Sequence, residues 1–73
     1  MAYQTISIHP STNILSVAWD ADTKDLRVQF VRGGRTYVYS GVDAQTAEGF
    51  SRADSPGRYL NSFVRDLFPF EEV

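Results

Sequence analysis

The side chains able to do chemistry in this 73-residue chain are few and scattered. His9 is the sole histidine and stands beside Pro10; with no cysteine present, it could act only as a general base toward a serine. No serine follows the strained strand-to-helix turn that exposes a nucleophile, so no catalytic residue is assigned. One histidine and dispersed carboxylates give no metal-ligand spacing, and no metal or other cofactor is expected. Asp20-Ala21-Asp22 could open a calcium loop, but the glycine and the closing glutamate are missing and a hairpin turn explains it better.

Binding chemistry has more to work with. Gly33-Gly34 lies between Arg32 and Arg35 but does not match a phosphate-binding loop, and no helix follows it. The two glycines suit a tight hairpin turn, which needs positive φ. Nothing in turn chemistry asks for the two arginines, which either keep the tip soluble or contact an anion. Tyr37 and Tyr39 are either stacking platforms for bases or covered core residues. Ser55-Pro56 reads as a capped helix start, and backbone N–H groups there, with Arg58 adjacent, could hold an anion. Asn61, one turn later, could share that pocket with Ser55 and Gly57.

These residues must be positioned by short strands followed by helices. With Gly33-Gly34 as a two-residue turn, Phe30 faces Tyr37 and Val28 faces Tyr39. With Ala21 to Lys24 as a four-residue loop, Trp19 faces Leu26, Val17 faces Val28 and Leu15 faces Phe30. Leu15, Val17, Trp19, Leu26, Val28, Phe30, Tyr37 and Tyr39 then share one face, and a slip of one residue would scatter them. The predicted strands are Ile14 to Trp19, Lys24 to Val31 and Arg35 to Ser40. The other face holds Ile14, Ser16, Ala18, Arg27, Gln29, Val31, Thr36, Val38 and Ser40, a mixture suited to solvent or a ligand.

Residues 1–10 read as an extended arm with room for a short edge strand, and residues 11–73 as the domain. Asp43 is a good N-cap for a helix from Ala44 to about Ala53, with Ala47 and Phe50 inward and Gly49 allowing close approach to the sheet. A second helix from Pro56 carries the stripe Leu60, Phe63, Val64 and Leu67, and Pro69 ends it at or before Phe68. Strands first and helices second favour an α+β fold: a three-stranded antiparallel meander, open to an extra N-terminal edge strand, with both helices on one face.

A hydrophobic fraction of 42% is that of a globular domain. No apolar run approaches 18 residues and no basic-then-apolar start is present, so a cytoplasmic protein without membrane contact is expected. The net charge of −2 is laid out unevenly. Lys24, Arg27, Arg32 and Arg35 make the middle hairpin basic, whereas six carboxylates after Val42 make the last part acidic.

Ser11 to Asp20, Leu26-x-Val28-x-Phe30, Tyr37-Val38-Tyr39, Ser55-Pro56-Gly57-Arg58-Tyr59-Leu60-Asn61 and the Arg65…Phe68-Pro69-Phe70 ending resemble the KTSC domain family. The family takes its name from an occurrence at the C-terminus of some lysyl-tRNA synthetases, and it also includes small stand-alone bacterial and phage proteins. The resemblance implies a β-meander with helices, no established catalytic group, and RNA binding through the synthetase association. Tyr37, Tyr39, Ser55, Gly57, Tyr59 and Asn61 carry the family motif; Trp19, Asp43 and Leu60 depart from it. The function expected is a non-catalytic binding module. One version binds RNA with modest affinity through Arg27, Gln29, Arg32, Arg35 and Arg58. The alternative docks a protein partner or a second copy, with no role for nucleic acid.

Overall fold

The computed structural model describes residues 2–73. Five strands form one sheet in chain order: β1 (Gln4–Ile6), β2 (Ile14–Asp20), β3 (Asp25–Phe30), β4 (Thr36–Tyr39) and β5 (Phe70–Glu72). Every neighbouring pair is antiparallel. Helices α1 (Ala44–Arg52) and α2 (Pro56–Phe63) lie in sequence between β4 and β5. The fold is α+β with two helices, but the sheet has five strands, not three. Glu71 and Glu72 hide β5 from a sequence reading, because two adjacent acids after a proline lack the apolar alternation that marks a half-buried strand. Among the described residues, no helix is long and apolar enough to cross a membrane.

The β2–β3 hairpin has the expected register, with Trp19 opposite Leu26 and Val17 opposite Val28. Its loop is organised by Asp20, whose Oδ1 accepts the N–H groups of Asp22 (2.9 Å) and Thr23 (3.3 Å). Asp20 thus serves a turn, which is why a buried carboxylate is tolerated there. Farther along, the register shifts between Ile14 and Ser16. This bulge turns Ile14 into the core (2% exposed) and Leu15 out (58%), the reverse of the expected alternation.

The β3–β4 register differs from the two-residue turn by two positions: Val28 faces Tyr37 and Leu26 faces Tyr39. The cause is Val31. Its N–H donates to Asn13 O (3.0 Å), and its backbone turns helical (φ −65°, ψ −46°), which takes it off the strand. A short 3-10 turn, Arg32–Gly34, follows, with φ +72° at Gly33 and +61° at Gly34, and Phe30 N–H closes the loop onto Arg35 O. Because the shift is an even number, the tyrosines stay on the intended face.

One core joins the layers: Ile14, Val17, Leu26, Val28 and Tyr39 from the sheet, then Val42, Ala47, Phe50, Leu60 and Val64. Burying side chains of this size contributes about 1.5–3 kcal/mol each. The indole N–H of Trp19 donates to Val42 O (2.9 Å) and ties β2 to the segment entering α1. Asp43 caps α1, accepting from the Thr46 hydroxyl (2.6 Å) and the Thr46 N–H (3.3 Å). The Thr46 hydroxyl bond is the main reason its carboxyl is held below the ordinary value.

Helix α2 begins as expected, with Ser55 Oγ accepting Arg58 N–H, but it stops at Phe63. Val64 leaves helical geometry, and the N–H groups of Val64 and Arg65 both bond Leu60 O. The predicted stripe therefore divides: Leu60 and Val64 are buried, whereas Phe63 (53%) and Leu67 (67%) are exposed. Gly49 permits a close approach to α2, not to the sheet. A Cβ there would collide with the phenol ring of Tyr59, whose hydroxyl donates to Thr46 O (2.7 Å).

Two outcomes are expected. Gly49→Ala should lower stability in the wild-type chain, because Tyr59 must abandon Thr46 and its edge contact with Phe50. In a Tyr59→Ala background, where the ring is gone, the same substitution should raise stability by about 1 kcal/mol, the helix-propensity difference. Urea denaturation of the four proteins measures this reversal; loss in both backgrounds would refute the contact. The second concerns acid. The Asp43 pKa is lowered by folding, so its contribution is complete above the unfolded value and disappears as pH falls through the folded one. Asn also caps helices but does not titrate, so melting curves of Asp43→Asn should lose less Tm than wild type on acidification over that range.

Candidate functional site

The shifted turn brings the basic hairpin against α2. Phe30 from the end of β3, Arg32 and Gly33 from the turn, and Arg35, Tyr37 and Tyr39 from β4 line one side of a 440 Å³ groove. Leu60 and Asn61 of α2, with Arg65 just beyond it, line the other. A second cavity of 670 Å³ shares Phe30, Arg32, Leu60, Asn61 and Arg65 and continues to Asn13 and Gly57.

The floor is aromatic. Tyr37 meets Phe30 edge-on (centroids 5.3 Å apart, 70°) and is stacked on Phe70 (5.0 Å, 15°). Tyr39 lies 5.5 Å from Phe70 and is buried. Desolvation pushes its phenol pKa up, Tyr37 adds to this, and Arg65 opposes it. Tyr39 is therefore a neutral hydroxyl near neutral pH.

The rim is cationic, and its three guanidinium groups are held differently. Arg65 Nη1 donates to Asn61 Oδ1 (3.5 Å). Arg35 Nε lies 3.9 Å from Glu72 Oε2, with both side chains more than half exposed, a pairing of about 0–1 kcal/mol. Arg32 has neither an ion pair nor a side-chain hydrogen bond among the described residues. Arginine side chains around stacked rings suit a ligand with both an anionic and a planar part.

The structure brings together Arg32, Arg35, Tyr37, Tyr39, Gly57 and Asn61 from the residues singled out in the sequence. It separates the others. Arg27 and Gln29 alternate with the core residues of β3 and so occupy the far face. There the Arg27 guanidinium lies 4.4 Å from the Tyr3 ring and Gln29 Oε1 accepts from Ser16 Oγ (3.4 Å). Ser55, Arg58 and Tyr59 line a different, 260 Å³ depression. Gly57 is packed against Asn13, whose Nδ2 would lie 3.2 Å from an added Cβ. His9 is exposed in the arm before β2.

Phe30, Asn13 and Arg65 went unnoticed as site residues. Arg65 had a usable signal, since it follows Asn61 by four residues and such pairs share a helix face. Asn13 had none, because its role depends on a backbone bond to Val31 across the hairpin. Among the described residues, no group of three or more His, Cys, Asp or Glu could hold a metal ion.

Comparison with known proteins bears on the whole chain. The family model for the KTSC domain matches residues 10–68. The crystal structure of a KTSC domain protein from Yersinia pestis is 32% identical, superposes with a TM-score of 0.87, and covers 99% of both chains. A search of curated proteins finds no match. With most of its length matched by the family model, this chain belongs to the KTSC domain family.

Proposed function

We propose that this protein is a small non-catalytic module that binds single-stranded RNA in the groove between the β3–β4 turn and α2. The observation that carries the reading is the combination of Arg32, Arg35 and Arg65 on the rim with Phe30, Tyr37 and Tyr39 on the floor. Guanidinium groups neutralise phosphates, and the part-exposed rings of Phe30 and Tyr37 offer stacking surface to unpaired bases, with buried Tyr39 backing them. A paired base has both faces covered by its neighbours, which favours single strands over duplex. The reading rests on the groove and not on kinship with synthetases. It keeps Arg32 and Arg35 from the expected interface and leaves out Arg27, Gln29 and Arg58, which lie elsewhere.

Binding is modest on this reading, because few phosphates are neutralised and the protein's net charge of −2 opposes a polyanion. Arg32→Ala combined with Arg35→Ala should weaken binding of a labelled oligouridylate about tenfold, and reduce the slope of log K against log salt by about 1.4. Arg27→Ala should change neither. Absence of any oligouridylate-induced NMR shift in the wild-type protein at low salt would sink the proposal.

A second reading, docking of a protein partner or a second copy, is supported by Phe63 and Leu67, large apolar side chains left more than half exposed. On that reading, sedimentation velocity finds a defined assembly without nucleic acid, and Phe63→Ser with Leu67→Ser abolishes it. A monomer at every concentration, with no partner captured, counts against it.

A further inference from the structure

The last strand has the chemistry of the ligand proposed for the groove. Phe70 and Glu72 are two residues apart and share one face of β5, while Glu71 points to the other. Phe70 covers a face of Tyr37 at 5.0 Å and 15°, the near-parallel geometry a stacked base adopts. Glu72 approaches the Arg35 guanidinium, a group that would otherwise receive a phosphate. One aromatic plane and one anion, held in extended backbone, thus occupy the two kinds of contact that a nucleotide would need.

This strand is also the least anchored part of the sheet. All three of its residues are exposed, and Phe70 remains 52% accessible. Besides its ladder with β4, two bonds hold its ends: Ser40 N–H to Pro69 O and Val73 N–H to Thr36 O, both 2.9 Å. Exposed backbone pairing with little apolar burial marks a segment that opens locally without unfolding the domain.

We propose that β5 is a built-in competitor: Phe70 and Glu72 occupy Tyr37 and Arg35 in the free protein, and an anionic ligand must displace them to bind fully. The identity of that ligand rests on the RNA reading above; the competition itself does not. Because the occupant is part of the chain, it weakens every ligand that uses Tyr37 and Arg35 and leaves contacts at Asn61 and Arg65 untouched.

The test compares wild type, Glu72→Gln, Phe70→Ser with Glu72→Gln, and Glu71→Gln, titrated with fluorescein-labelled oligouridylate by anisotropy at low salt. Glu71→Gln removes the same charge from the opposite face and controls for net charge. Glu72→Gln should bind about threefold tighter than Glu71→Gln, a gain that fades with added salt, and the double variant about tenfold tighter. Equal affinities for Glu72→Gln and Glu71→Gln overturn the competition while leaving RNA binding in place. If none of the four proteins binds oligouridylate, the RNA reading fails, and inorganic pyrophosphate followed by NMR decides the competition alone. Tighter pyrophosphate binding to Glu72→Gln than to Glu71→Gln supports it; equal or absent binding overturns it.

Discussion

Strand side chains alternate between faces with a period of two, and the packing of this chain depends on keeping that parity from β2 through β4. Val17, Leu26, Val28 and Tyr39 form a single layer only because their pairings are all in phase. The β3–β4 register lies two residues from that of a tight two-residue turn and still keeps Tyr39 in the core, whereas a displacement of one would turn Tyr37 and Tyr39 outward and Val38 inward. Where the bulge interrupts the phase, Ile14 and Leu15 change places. The helices answer what the sheet offers: Ala47, Phe50 and Leu60 join the core, and Val64 joins it from just past the end of α2.

Asn13 joins the sheet to the candidate site. Its carbonyl takes the Val31 N–H, which ends β3 early and opens the turn, and its side chain abuts Gly57 at the start of α2. One residue before β2 therefore touches both elements that flank the groove. The wider turn that results lets Arg32 and Arg35 line the same cavity as Asn61 and Arg65, in place of a narrow tip pointing into water.

The parts legible in the sequence are those governed by local chemistry. Asp43 and Ser55 announce helix starts because a side-chain oxygen must meet an orphan N–H within the same turn. The Ala21–Lys24 loop follows likewise from Asp20, which bonds its own neighbours. The parts that escaped depend on distant partners: Val31 on Asn13, Gly49 on Tyr59, and β5 on an edge of β4 that already exists. The end of α2 was hidden for another reason. Leu60, Phe63, Val64 and Leu67 keep a helical spacing through the point where the backbone turns away, so pattern alone could not locate it. At the groove, the choice between a covered core residue and a cavity wall is not exclusive: Tyr39 is buried, yet both Tyr37 and Tyr39 line the cavity.

The order of strands across the sheet equals their order along the chain, and this bears on how the molecule assembles. β2, β3 and β4 can zip through loops of about four residues, so their nucleus is local and fast. β5 must wait. Joining Pro69 to Ser40 closes a loop of about thirty residues, costing roughly 2 kcal/mol more than a tight hairpin unless the helices have already shortened the gap. The final strand is thus the last to arrive and the first to leave, and a chain interrupted before Phe70 would still hold every residue of the central apolar layer.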